Sequence, residues 1–277
     1  MTEQAKYDPI LPVPGGASEP DTSSAPDAPV APSTRIAPVR ALVLPSVNPI
    51  FTYVFLVANV LVFGATLALG RTADGTPLLF TLGWKDSGAI MNGEYWRLVT
   101  PIFLHANLLH LGFNSYALYI LGPQVERYFG YMRFVVIYLL SGIAGVIASM
   151  TFKPAAYSVG ASGAIFGLVG ALIVYLYQNR DLFGGMGRRR LMSAIQVAAI
   201  NLLIGLSPGI DNWGHIGGMV GGAAITWLLG PLFALESGYD VRPRVEDRRP
   251  VAARWAATFA SVAALVALTG LVIVLRT

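Results

Sequence analysis

The chain contains three histidines, His105, His110 and His215, and no cysteine. Disulfides, thiolate metal sites and cysteine nucleophiles are thereby excluded, so a covalent nucleophile must be an oxygen or a lysine amine. Ser162 stands out by its surroundings, in the run Gly160-Ala161-Ser162-Gly163. A hydroxyl and an imidazole brought together act as nucleophile and general base: the ring takes the hydroxyl proton during attack and returns it to the leaving group. His110 and Asn114 are four residues apart and share one helix face, a spacing that suits two donors aimed at a developing oxyanion. Each feature alone has a plainer reading. A Gly-Ala-Ser-Gly run is most often a packing seam, an interfacial histidine most often a hydrated or capping side chain, and the run is not a G-x-S-x-G elbow, which needs a strand before it.

The elements that must position these residues are set by composition. Of 277 residues, 55% are hydrophobic and only 12% charged, against about 25% charged in soluble domains, so the bilayer is the expected solvent. Seven segments have the length and apolarity of spanning helices, near residues 49–69, 108–128, 134–152, 160–177, 191–206, 215–235 and 255–275. The fifth is the weakest, since Gln196 and Asn201 interrupt it. A net charge of +4 does not point to nucleic acid, because the basic residues fall in short clusters between apolar runs. Placing the N-terminus in the cytoplasm leaves only Arg71, Lys85, Arg97, Lys153 and Arg276 of the 19 basic residues outside, as the positive-inside rule requires.

With that orientation the second, fourth and sixth spans run in the same direction. His105 and His110 enter the second, Ser162 opens the fourth and His215 opens the sixth, so one hydroxyl and all the imidazoles are expected at a single depth near the outer surface. Gly163 and Gly167 on the fourth span, with Gly214, Gly218 and Gly222 or Gly217 and Gly221 on the sixth, are small-xxx-small patterns that let helix backbones approach closely. Residues 1–48, rich in Pro, Ala, Ser and Asp, read as a disordered cytoplasmic tail. Residues 49–235 form the expected six-helix core, 236–254 a basic cytoplasmic loop, and 255–277 a further helix. The outer loop 70–107 carries too many aromatic and aliphatic residues for a plain linker and is expected in the membrane interface. Gly184-Gly185-Met186-Gly187 ahead of Arg188-Arg189-Arg190 reads as a cytoplasmic turn with a basic anchor.

In their order the motifs resemble the rhomboid family of intramembrane proteases. The matching residues are Trp96-Arg97, His105, His110-Leu111-Gly112-Phe113-Asn114, Gly122-Pro123, Glu126-Arg127, Gly130, Gly160 through Gly167 and Gly214-His215-Ile216-Gly217-Gly218. The resemblance covers roughly residues 49–235 and implies an all-α polytopic membrane protein, a six-helix core with an additional seventh helix. It implies Ser162 as nucleophile and His215 as its base, without the acidic third member of a Ser-His-Asp triad. It also implies an oxyanion hole of His110, Asn114 and the Ser162 N–H, with Gly163 and Gly218 as close-packing positions. Trp96-Arg97 would lie in a loop inserted sideways in the outer leaflet, and the fifth span with residues 207–213 would be substrate gate and cap. Gly214 stands where many members have alanine, a small-for-small change.

The activity expected is hydrolysis of peptide bonds near the outer end of a substrate's transmembrane helix in a bacterial plasma membrane, with no metal, cofactor or nucleic acid. A non-cleaving binding protein on the same scaffold would lack the serine or the base, and both are present. A transporter would carry its ionisable residues near the midplane.

Overall fold

The structure, a computed structural model, describes residues 6–9, 43–236 and 244–276. Most of the expected tail lies outside these residues. Within it, β1 (Lys6–Pro9) pairs antiparallel with β2 (Val43–Ser46), Lys6 opposite Ser46. Nine helices follow among the described residues: α1 (Ile50–Ala68), α2 (Leu78–Gly83), α3 (Ser87–Met91), α4 (Leu108–Phe129), α5 (Tyr131–Phe152), α6 (Ser162–Gln178), α7 (Arg180–Ile204), α8 (Asn212–Leu229) and α9 (Val251–Val274). A second ladder, β3 (Phe233–Glu236) with β4 (Arg244–Asp247), joins α8 to α9. The long helices fall on the seven apolar segments, and the fold is all-α apart from these two short ladders.

Three helices, α1, α5 and α9, are individually long and apolar enough to cross a membrane, while α6, at 17 residues, falls short of that length. The other spans read from the sequence meet the test less well for a physical reason. On α4, α6 and α8 polar groups and glycines face the bundle interior, while α7 is peripheral and carries Arg180, Asp181 and Arg188 to Arg190 in its first half. Lipid-like surfaces lie on the outside, where Leu61, Phe113 and Val266 are each 67% exposed, and small polar side chains such as Thr52, Asn59, Ser141 and Thr226 are completely buried.

Two boundaries differ from expectation. The expected Gly184–Gly187 turn is narrower than its glycines suggest: α7, Arg180–Ile204, is two helical segments that meet at Gly184, whose backbone is non-helical (φ 53°, ψ −140°), and helix resumes directly after it. Arginine is a good helix former, and Arg188, Arg189 and Arg190 are exposed on that helix. The sixth span ends at Leu229, and 233–236 is strand, because Gly230-Pro231 stops the helix.

Helix ends are tied by side chains from other helices. The start of α1 has no side-chain cap of its own. Buried Glu126 of α4 supplies one, accepting the Phe51 and Thr52 N–H groups and the Thr52 hydroxyl, each at 2.7 Å. Gly122 leaves room for Thr52 beside it. Gly130, at φ +79°, lets α5 begin one residue after α4 ends. At the same end of the bundle Asp247 pairs with Arg133 of α5 at 2.6 Å and Arg254 of α9 at 3.1 Å. Arg249 donates to the Gly230 and Trp227 carbonyls at 2.6 Å, which fastens α9 to the end of α8.

Candidate active site

The core of the bundle is α5, α6 and α8 packed mutually against one another, and glycine sets how closely. The two glycine stripes of α8 serve different neighbours. Gly218 and Gly222 lie against the Gly163 and Gly167 carbonyls of α6, while Gly217 and Gly221 lie against Ala144 and Ala148 of α5. A Cβ on Gly145 of α5 would come within 2.6 Å of the Gly214 carbonyl. These backbone contacts bring the N-terminal turns of α6 and α8 together.

Ser162 is the first residue of α6 and His215 lies in the first turn of α8. His215 Nε2 stands 2.9 Å from Ser162 Oγ. The ring plane is fixed by Phe166, one turn along α6 from Ser162, which stacks on it at 4.4 Å with 15° between planes.

The chain enters Ser162 through Gly160, whose φ of +131° suits glycine and whose N–H donates to Pro101 O at 2.9 Å. A side chain at 160 would come within 2.7 Å of His110 Nε2 and 3.5 Å of Asn114 Nδ2, so His110 and Asn114 face the backbone leading into the serine. Asn107 caps α4 by accepting the His110 N–H at 2.9 Å, which places the His110–Asn114 face. Asn114 Nδ2 is buried without a protein partner among the described residues, a donor free for a ligand oxygen.

His105 does not enter the helix. It precedes α4, is fully buried, sets its Nδ1 3.2 Å from Phe103 O and meets the His110 ring edge-on at 5.3 Å. Burial, with His110 adding to it, pushes its pKa down to about 4, so it stays neutral and supports His110. Arg97, expected at the interface, is buried and holds the outer loop together. Nε donates to Glu94 at 2.7 Å, Nη2 to Thr81 O at 2.7 Å and Nη1 to Trp84 O at 3.1 Å. Trp96 is 54% exposed and donates to Leu82 O at 3.0 Å.

Ser162, His215, Gly160, Ser158, Ile102 and Asp211 are among the residues that line a cavity. Asp211 and its partner Ser149 escaped the sequence reading. Asp211 caps α8, accepting the Gly214 N–H at 3.2 Å, and also accepts the Ser149 hydroxyl. The signal available in the sequence was an Asp four residues ahead of a His at a helix start.

The family model of the Rhomboid domain matches residues 92–232, a span that holds every one of the site residues described above. The chain belongs to the rhomboid family. It is 43% identical over 192 residues to rhomboid protease GluP of Bacillus subtilis, an alignment covering 69% of this chain and 37% of GluP. It is 38% identical over 172 residues to RHOMBOID-like protein 6, mitochondrial, of Arabidopsis thaliana, covering 62% of this chain and 54% of that protein. The chain thus spans between a third and about half of these curated relatives. Rhomboid membership makes this an integral membrane protein, in keeping with the apolar exterior of its helices.

Proposed function

We propose that this rhomboid is an intramembrane serine endopeptidase that hydrolyses peptide bonds near one end of the transmembrane helices of its substrates. The observation that carries the reading is the 2.9 Å approach of His215 Nε2 to Ser162 Oγ at the wall of a cavity. With the ring proton on Nδ1, Nε2 accepts the Ser162 proton as Oγ attacks the scissile carbonyl, then delivers it to the leaving amine. The oxyanion that forms at that carbonyl is met by the Ser162 N–H, His110 and Asn114, donors gathered around Gly160. A second round with water releases the acyl group, and Ser158 and Asp211 on the cavity wall offer polar groups along which water can enter. The chemistry calls for no metal or organic cofactor.

A regular helix keeps its carbonyls in internal hydrogen bonds, so preferred substrates unwind easily at the cleavage site, with Gly, Pro or other poor helix formers. Entry from lipid between α7 and α8 is favoured by their sparse mutual packing, since α7 rests chiefly on α6. The basic-residue bias supports an N-terminus in the cytoplasm and a site near the outer face, and the Arg- and Ala-rich, Cys-free composition favours a bacterial plasma membrane.

The test is incubation of the purified chain in lipid with a panel of tagged single-span membrane proteins, beside Ser162→Ala. Cleavage by the wild type and none by the variant is expected, together with fluorophosphonate labelling at Ser162. Undiminished cleavage by Ser162→Ala rejects the reading.

A further inference from the structure

Asp211 is a carboxylate on the cavity wall shared by Ser162 and His215, and the chemistry proposed above gives it no part beyond capping α8. It sits one helical turn before His215. Its Oδ1 accepts the Gly214 N–H at 3.2 Å, and its Oδ2 accepts the hydroxyl of Ser149, a fully buried residue of α5. Two donors from different helices fix the carboxylate, more than a helix cap requires. The titratable groups close enough to act electrostatically on His215 are Asp211 on its own helix and His110 on α4. Lys85, from the loop ahead of α3, acts in turn on Asp211. His215 Nδ1 is buried and has no protein partner among the described residues, so no carboxylate bonds the ring directly.

We propose that Asp211, held by Ser149, is a positioning residue of the reaction, stabilising the His215 imidazolium through space. The inference rests on the reading of Ser162 and His215 as nucleophile and base. As Oγ bonds to the substrate carbonyl carbon, its proton moves to His215 Nε2 and the ring becomes positive. The proton then passes to the leaving nitrogen as the C–N bond breaks. A fixed anion at the edge of a poorly solvated site favours the charged ring at each of these moments.

Asp211→Asn keeps an acceptor oxygen for the Gly214 N–H and can donate its amide N–H to the Ser149 hydroxyl oxygen, but loses the charge. With the full chain in lipid and a cleaved single-span substrate, kcat is expected to fall about tenfold with KM unchanged, and the acidic limb of the kcat profile to move about one unit to lower pH. The sign follows because a ring without its anion loses its proton more readily. Ser149→Ala moves the limb the same way by less, and carries the same test where Asp211→Asn does not fold. A variant pair with the wild-type limb, whether thermally destabilised or fully active, makes Asp211 a helix cap only and overturns the proposal. Cleavage that survives Ser162→Ala is a different failure, since it removes the dyad itself.

Discussion

Gly218 of α8 lies so close to the Gly163 carbonyl of α6 that a Cβ on Gly218 collides with the backbone of Gly163. The relation is not reciprocal, for a Cβ on Gly163 meets its nearest neighbour, the Gly214 carbonyl, only at 3.4 Å. Gly218→Ala must therefore push α6 and α8 apart, while Gly163→Ala fits. The expected cost of Gly218→Ala is roughly 1–3 kcal/mol, with loss of Ser162 labelling because the serine and histidine ride on the separated helices. Gly163→Ala should retain both. Thermal unfolding in detergent and fluorophosphonate labelling check this, and equal damage from both substitutions would contradict the asymmetric contact.

Phe166 determines the plane of the His215 ring by stacking at 4.4 Å. Ring stacking contributes about 0.5–1.5 kcal/mol beyond area burial, and 1.36 kcal/mol in the barrier is about tenfold in rate. Phe166→Leu is expected to lower kcat up to about tenfold with KM unchanged, because the base then samples unproductive orientations. Phe166→Tyr keeps the ring face and should cleave near the wild-type rate. Steady-state kinetics on one reconstituted substrate decides between orientation and mere packing, which the two variants would affect alike.

Asn114 offers a buried donor with no protein partner among the described residues, on the face that meets the backbone entering Ser162. Its contact with substrate oxygen is expected to strengthen as negative charge develops. Asn114→Ala should therefore reduce kcat by about 10²-fold, with little change in KM or melting temperature. A variant that loses stability and keeps its kcat would mark Asn114 as a packing residue.

Much of this arrangement is legible in the chain, because it follows from periodicity and parity. Seven apolar runs give the long helices, and Ser162 and His215 come to one end since their helices run in the same direction. Gly217/Gly221 and Gly218/Gly222 are visible as two stripes, although which stripe meets which helix depends on packing. The buried tie of Asp211 to Ser149 is not legible, as it joins the end of α5 to the start of α8 across 62 residues. The glycines of 184–187 mark the break at Gly184, but not that helix resumes directly after it and carries Arg188 to Arg190 on an exposed face. Arg97 beside Trp96 suggests an interfacial anchor, whereas the fold buries it against three acceptors that no local pattern reveals.

Arg97 joins Thr81 O, Trp84 O and Glu94, which fastens the end of α2 to the turn around Tyr95–Leu98. Hydrogen bonds from a charged group contribute about 1.5–3 kcal/mol each in mutational series, and a lysine cannot reproduce the planar fork. Both Arg97→Ala and Arg97→Lys should loosen the 78–103 stretch, seen as faster hydrogen exchange and easier proteolysis there, with α5, α6 and α8 unaffected. Protection unchanged by Arg97→Ala would contradict this role.

Lys85 is fully buried and stitches the outer loop to the segment before Gly160. Its Nζ donates to Lys153 O at 2.8 Å and Ala156 O at 2.6 Å, and its N–H to Ser158 O at 2.9 Å. Burial pushes its pKa down to about 8, against the opposing pull of Asp211 and Asp86. The folded value lies below the unfolded one of about 10.4, so holding the ammonium costs stability in full below pH 8. That cost is relieved as pH rises from about 8 to about 10.4, because over this range the unfolded chain binds the proton and the folded chain does not. The melting temperature of wild type minus that of Lys85→Met should therefore increase across this interval, other titrating groups being common to both. A difference that stays flat or shrinks would mean that the two carbonyls and Asp211 compensate the burial of the charge. In that case Lys85→Met should cost the 153–158 segment its protection from exchange equally at pH 7 and pH 10, where the burial argument expects the larger loss at the higher pH.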